Sequence, residues 1–324
     1  MSIFEERTSY KPFEYPEVLE FVNALNHTYW VHSEVDFTGD IQDFKVELSA
    51  SEQHAIKNTL LAIAQIEVTV KAFWGKLYTQ LPKPEFNGLG STFAECEFRH
   101  SEAYSRLLEV LDLNGDFEAA LASPPLRSRV TLLKKYLTLA PGHSKEDFAK
   151  SLAVFSLFIE NVSLFSQFAI ILSFTRFKGL LKNTSNIIAW TSKDEQIHSQ
   201  AGIYIFNIIR QEYPDFFNEE TIRVIQEAAI DSIETEEGIL DWIFEQGELA
   251  HLPKNRLVAF MKHRVNESLQ AIDIPAVFEV STQEINAMQW FEEEVFANAN
   301  DDFFAKRPVD YTKHNQSFTA NDLF

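Results

Sequence analysis

Two glutamates stand in surroundings that do not suit a carboxylate. Glu67 lies in LLAIAQIEVTVKAFW and Glu160 in LAVFSLFIENVSLF, both apolar runs. An isolated ionised carboxylate in a core is very costly unless it is paired, protonated or bound to a metal. About one helix later each is followed by a Glu-x-x-His: Glu97 with His100, and Glu195 with His198. At i, i+3 spacing the two side chains share one helical face, so both can point at one ion. The same unit therefore occurs twice, with gaps of 30 residues from Glu67 to Glu97 and 35 from Glu160 to Glu195. Glutamates and histidines projecting inward from four helices in this way are the ligand set of a di-iron or di-manganese carboxylate bundle. Hard oxygen ligands with one imidazole per ion suit iron or manganese better than zinc in a closed structural site.

Glu-x-x-His is a weak signal by itself, since a composition this rich in charge produces about one by chance. A third copy, Glu248 with His251, sits between Gly247 and Pro253 at a helix end, and its upstream acids (Glu212, Glu219, Glu220) lie in polar sequence. It reads as a solvated end. The repetition and the apolar setting of both lone glutamates separate the other two units from it. Pairing with Lys or Arg is the competing account, and those helices carry few basic residues.

Holding ligands that far apart around one site needs long, unbroken helices. The chain has 324 residues with only 10 Gly and 11 Pro, and none of the prolines falls in 142–213. That scarcity argues against a many-turned β fold and for an all-α one. Hydrophobic residues make up 45%, with 29 Phe, enough for a substantial core. Helices are expected over 17–29, from a capping box at Ser49 and Glu52 to about 80, over 91–112 up to an Asn114-Gly115 turn, and over 116–122 and 125–138. Further helices fit 145–174, 183–212, 218–247, 254–272 and 282–296. Residues 1–297 read as a single helical domain and 298–324 as a mobile, mostly polar tail.

The formal charge of −20 opposes nucleic acid and anionic lipid surfaces as partners. A single cysteine, Cys96, excludes an intrachain disulfide framework or a Cys-based metal site. No charged-then-apolar leader opens the sequence, and the Phe- and Leu-rich run at 152–174 is interrupted by Glu160, Asn161 and Gln167. It reads as a buried helix, with no membrane association and the cytoplasm as the expected location.

In order, Glu67, the run E97-F-R-H100-S-E-A-Y104, Glu160 and D194-E195-Q-I-H198 resemble the small, radical-generating beta subunit of class I ribonucleotide reductase. The resemblance extends over essentially the whole chain, including YWVHSEVD at 29–36 and the tail. It implies a ferritin-like helical bundle that forms a homodimer and works with a large catalytic subunit. There it initiates reduction of ribonucleoside diphosphates through a cysteine thiyl radical. It also implies that Glu67, Glu97 and His100 hold one metal, and Glu160, Glu195 and His198 the other. By the same resemblance Trp30 is the relay tryptophan, and Asp194 is the aspartate joining it to His100. Such a carboxylate fixes the tautomer of a metal-ligating imidazole. Tyr311, in RPVDYTKHN, matches the tyrosine carrying the electron across the subunit interface. Leu323 and Phe324 suit an apolar groove on the large subunit.

Tyr104, four residues after His100, matches the position of the stable tyrosyl radical in most of the family. The first ligand departs from that pattern, being Glu67 where the iron–tyrosyl members have Asp. Glutamate there resembles subgroups whose metal cluster itself stores the oxidising equivalent. Lys71, one turn from Glu67, is expected to place a positive charge near the cluster. The expectation is therefore two manganese ions acting directly as oxidant. The alternatives are two iron ions with a Tyr104 radical, a mixed Mn/Fe pair, or a ferritin-like diiron oxygenase or oxidase. Activation uses dioxygen or a reduced oxygen species delivered by a flavodoxin-like activating protein.

Overall fold

A computed structural model describes residues 2–137 and 144–295, apart from the side chains of 68–71. Its helices are α1 Val18–His27, α2 Thr38–Gln42, α3 Ala50–Gly75, α4 Leu77–Gln80, α5 Pro84–Val110, α6 Asn114–Ala120 and α7 Pro124–Tyr136. They continue with α8 Lys145–Val154, a π-helical segment Phe155–Ser163, α9 Phe165–Lys178, α10 Lys182–Glu212, α11 Glu219–Ile243, α12 Lys254–Gln270 and α13 Thr282–Asn286. Among the described residues there is no strand, only an isolated bridge between Leu249 and Leu252. The chain is all-α, as its scarcity of Gly and Pro requires.

The helix starts have local causes. Ser49 and Glu52 form the expected capping box on α3, and Ser144 with Asp147 forms another on α8. Helix α5 starts earlier than expected, because Pro84 occupies a first-turn position where its missing N–H costs nothing. Asn114 and Gly115 do not end α5. They open α6, and the turn lies just before them, where Asp112 takes a left-handed conformation with φ 62°. The expected helix over 145–174 is interrupted by the π-helical segment, which carries Glu160. Such a wide turn shifts the side chains that follow it relative to a regular helix, and it is frequent at functional sites.

Helix α3 packs along α5, and α10 packs against both the π-helical segment and α9. Helix α12 covers the π-helical segment from another side, and α11 lies on α7. The stretch Lys145–Lys178 is long and apolar enough to cross a membrane, but 94% of its most apolar window is buried inside the protein. It is the central core helix.

Helix α10 begins abruptly. Gly179 ends α9 at φ 70°, and Leu181 takes a left-handed φ of 56°. The free N–H groups at the start of α10 are satisfied from a distant segment. Asp40 accepts from the backbone of Asn183 (3.2 Å) and Thr184 (2.5 Å), while Asp43 accepts from Leu181 N (2.8 Å). Two carboxylates at a helix N-terminus also meet its positive end.

A second buried acid clarifies the first group. Glu236 on α11 is fully buried and receives both Nε (2.9 Å) and Nη2 (2.6 Å) of Arg129, also fully buried. Arg129 further donates to Ala62 O at 2.8 Å, and Gln167 donates to Glu236 at 3.2 Å. This is the ordinary way to bury a carboxylate, with a bidentate base and complete hydrogen bonding.

Gly202 allows α10 to approach the π-helical segment. A Cβ there would stand 1.8 Å from Ser156 Oγ and 2.3 Å from Ser156 Cβ. Gly202→Ala is expected to destabilise the protein by about 1–3 kcal/mol or more through overpacking, and Ser156→Gly in the same chain to recover most of the loss. Chemical denaturation of the single and double variants measures both.

Candidate metal centre

Four helical elements deliver the six residues. Glu67 comes from α3, Glu97 and His100 from α5, Glu160 from the π-helical segment, and Glu195 and His198 from α10. All six are buried to 1% exposure or less. Their ligand atoms gather into two groups, Glu67–Glu97–His100–Glu195 and Glu97–Glu160–Glu195–His198, each with its atoms within 4.8 Å of one another. Glu97 and Glu195 belong to both groups, so they lie between the two positions instead of each serving one.

The histidines point inward through Nδ1. That atom of His100 lies 3.0 Å from Glu195, 3.5 Å from Glu97 and 3.9 Å from Glu67. For His198 the distances are 3.0 Å to Glu97, 3.1 Å to Glu195 and 3.7 Å to Glu160. No Lys or Arg pairs with these four carboxylates among the described residues, in contrast to Glu236. Both oxygens of Glu67 and Glu97, Oε1 of Glu195 and Nδ1 of His100 are buried without a hydrogen-bond partner. Native structures rarely leave buried polar atoms unsatisfied, and these converge on common points. Two divalent ions satisfy this donor set, and the oxygen-rich composition suits iron or manganese.

The surroundings differ between the two positions. His100 Nε2 lies 3.1 Å from Asp194 Oδ2, and that same oxygen accepts the indole N–H of Trp30 at 2.9 Å and the thiol of Cys96 at 3.4 Å. Three groups thus converge on one carboxylate oxygen. Trp30 stacks on His100 with ring centroids 5.8 Å apart, and its carbonyl accepts from Arg99 at 3.1 Å. At the other position Trp74 donates to Glu160 Oε1 at 2.7 Å, and Phe93 lies 4.3 Å from the His198 ring, whose Nε2 has no hydrogen-bond partner.

Tyr104 is buried beside the cluster, and its hydroxyl has no hydrogen-bond partner. Burial, together with the charge of Glu67, pushes that phenol well above its ordinary range. Glu248 and His251 lie apart from the cluster: His251 meets Ser173 at 3.0 Å and Glu248 accepts from Lys254 N. The Lys71 side chain, Tyr311, Leu323 and Phe324 lie outside the described residues.

Sequence reading missed Trp74, Cys96 as a hydrogen-bond donor, Arg99 and Trp190. Trp74 follows Glu67 by seven residues, two turns along the same helical face, a spacing that could have signalled it. The role of Cys96 had no signal, since its partner Asp194 is 98 residues away.

The sequence profile described as "Ribonucleotide reductase, small chain" matches residues 7–287. The chain belongs to that family. It is 26% identical, over 97% of its own length and 86% of the relative's, to a probable ribonucleoside-diphosphate reductase small subunit of Invertebrate iridescent virus 3. The ribonucleotide reductase R2 subunit of Clostridium botulinum shares the fold at a TM-score of 0.81 and 17% identity, covering 91% of this chain and 94% of the other. The dimanganese(II) form of NrdF from Streptococcus sanguinis does so at 0.76 and 16%, covering 91% and 99%. The bundle is thus the ferritin-like fold of these reductase subunits, and the chain is a class I ribonucleotide reductase small subunit.

Proton occupancy follows from the crowding of acids. Burial, reinforced by the neighbouring glutamates, raises Glu67 and Glu160 well above the usual carboxylate range. Glu195 is held below its ordinary value, because contacts with Glu160, His100 and His198 outweigh its burial. The imidazoles of His100 and His198 are raised although burial opposes their charge, through Cys96 and Asp194 for the first and Glu97 for the second. Raised groups bind more protons in the folded than in the unfolded chain, so their stabilisation is lost as pH rises through the folded values. Glu195 acts oppositely, but its effect is lost only as pH falls below the ordinary carboxylate value of 4.5. The metal-free protein is therefore expected to melt at progressively lower temperature as pH rises above 4.5, the ordinary carboxylate value, and more steeply above 6.5, the ordinary imidazole value. Added Mn2+ or Fe2+ should raise the melting temperature more at higher pH and release protons. Scanning calorimetry across pH, and titration heats in buffers of different ionisation enthalpy, check both expectations.

Proposed function

We propose that this subunit generates the oxidant for ribonucleoside diphosphate reduction by a large catalytic subunit, using a pair of manganese ions held by Glu67, Glu97, His100, Glu160, Glu195 and His198. The observation that carries the reading is the convergence of ligand atoms from these six buried residues, those of Glu67, Glu97, His100 and Glu195 including partnerless ones, with no base among the described residues to neutralise them. When bound, the ions supply a one-electron oxidant; the protein positions, insulates and connects them. Glu97 and Glu195 would be within reach of both ions, Glu67 and His100 would complete one donor set, and Glu160 and His198 the other.

Asp194 holds the distal nitrogen of His100 and the indole of Trp30 on one oxygen, coupling a ligand to a readily oxidised ring without an intervening gap. That placement supports Trp30 as the relay residue. We assign Tyr311 to the next transfer, toward the large subunit, and Leu323 with Phe324 to docking against it. A homodimer in the cytoplasm is the proposed assembly. Activation proceeds with dioxygen, or with a reduced oxygen species from a flavodoxin-like protein.

Tyr104 decides between metal-based and tyrosyl storage of the oxidising equivalent. A tyrosine oxidised to its neutral radical must shed the phenolic proton. Tyr104 is fully buried, and burial together with the charge of Glu67 holds its phenolic proton in place. Together with glutamate at position 67, this favours metal-based storage. The other reading is a diiron pair with a Tyr104 radical.

Ribonucleoside diphosphate reduction with the cognate large subunit is expected for the manganese-loaded chain, and Glu97→Ala is expected to abolish both metal uptake and turnover. Tyr104→Phe should retain turnover, and electron paramagnetic resonance of activated protein should give a manganese signal. Loss of turnover with metal content intact, or a tyrosyl signal, favours the diiron reading. Removing residues 313–324 should abolish turnover and subunit association while leaving metal content unchanged. Retained activity in that truncated chain would remove the docking assignment.

A further inference from the structure

Trp30 has an aromatic neighbour for which the relay reading has no use. Trp190 lies on α10 one turn before Asp194, and its ring centroid is 5.4 Å from that of Trp30, with the planes at 41°. Both indoles are buried, at 5% and 8% exposure. Trp30 therefore contacts two rings: the imidazole of His100, whose Nδ1 faces the carboxylates, and the indole of Trp190.

The two indoles are fixed by different parts of the chain. Trp190 shares a rigid helix with Asp194, Glu195 and His198, so its position relative to the cluster is set by that helix. Trp30 arrives on the N-terminal segment and is held at both ends, its N–H on Asp194 and its carbonyl on Arg99. The guanidinium of Arg99 is itself anchored by Glu95 and lies 5.7 Å from the Trp30 ring. Packing alone would accept many apolar side chains beside Trp30. A second indole adds a property that Leu or Phe lacks, which is easy one-electron oxidation.

We propose that Trp190 is a second redox-active residue, forming with Trp30 an indole pair across which one electron passes. The proposal rests on the reading of Trp30 as the relay residue. At this centroid spacing the ring edges are near contact, so electron exchange between them is not limited by distance. In the step, one electron leaves the π system of Trp190 and fills the vacancy left when Trp30 has been oxidised. Trp30 returns to its closed-shell form and Trp190 becomes a cation radical. No bond forms or breaks, and the N–H of Trp30 stays on Asp194. The loaded metal pair is the oxidant. The electron that restores Trp190 comes from a thiol of the large subunit in the assembled enzyme, or from added ascorbate in its absence.

The test is rapid mixing of the ferrous-loaded full-length protein with dioxygen, followed by optical absorption and freeze-quenched electron paramagnetic resonance. In Trp190→Phe the tryptophan cation radical is expected to form at the wild-type rate and to lose its fast phase of decay, with iron content unchanged. Trp190→Tyr, which keeps an oxidisable ring, should restore the fast phase and give a tyrosyl signal that persists when Tyr104→Phe is also present. A Trp190→Phe decay that superposes on the wild type overturns the pair and leaves the relay role of Trp30 intact. Should Trp190→Phe fail to take up iron, the tyrosyl signal of the second variant decides, and its absence overturns the proposal. Trp30→Phe is expected to form no tryptophan radical. Absence of that radical from the wild type overturns the pair, while turnover of the manganese-loaded Trp30→Phe chain with the large subunit decides the relay reading separately.

Discussion

The fold is organised around the burial of four carboxylates with no Lys or Arg among the described residues to match them. One buried acid, Glu236, is neutralised by a bidentate guanidinium and a further hydrogen bond from Gln167. Glu67, Glu97, Glu160 and Glu195 are left with two imidazoles and crowded oxygens, those of the first two and one of Glu195 without a hydrogen-bond partner. Protein interiors tolerate such a group when protons or cations occupy it. Every long element near it can be read as a response to that requirement. Helices α3, α5 and α10 run past the cluster without a break, and Glu160 sits on the irregular, π-helical segment.

The two halves of the cluster are chemically unlike despite their similar ligands. Around His100 lie an aspartate, an indole and a thiol, all meeting at one oxygen. Around His198 lie Trp74 and Phe93, and a ring nitrogen with no partner. A polar, hydrogen-bonded outer layer on one side and an aromatic one on the other will tune two chemically similar positions differently, because groups behind the ligands control basicity and local dielectric. Indoles flank both sides, the pair Trp30 and Trp190 beside His100 and Trp74 beside His198.

Much of this was legible before the structure. The periodic recurrence of acids and histidines named the six converging residues because i, i+3 pairs depend only on helical geometry. Apolar context for Glu67 and Glu160 carried the burial. Helix existence followed from the absence of chain-breaking residues. Boundaries failed where a local conformation overrode pattern, as at Pro84, at Asp112 and across the π-helical segment, since a wide turn leaves no compositional trace. The sharing of Glu97 and Glu195 between two groups was hidden, because it depends on the relative rotation of α5 and α10. Contacts between distant segments were hidden for the same reason, among them Arg129 with Glu236 and Cys96 with Asp194. The pairing of Trp30 with Trp190 belongs with them.

The capping of α10 has a kinetic consequence. Its first turn is completed by Asp40 and Asp43, which stand 144 and 138 positions earlier in the chain at their contacts with Thr184 and Leu181. Trp30 reaches Asp194 over 164. The helix that carries Glu195 and His198 therefore lacks these carboxylate caps until the N-terminal segment has folded back across the bundle. Contacts of such sequence separation close late and slowly, because their loop entropy must be overcome before they contribute. The caps of α10 and the Trp30–Asp194 contact thus both depend on the same long-range docking of the N-terminal segment.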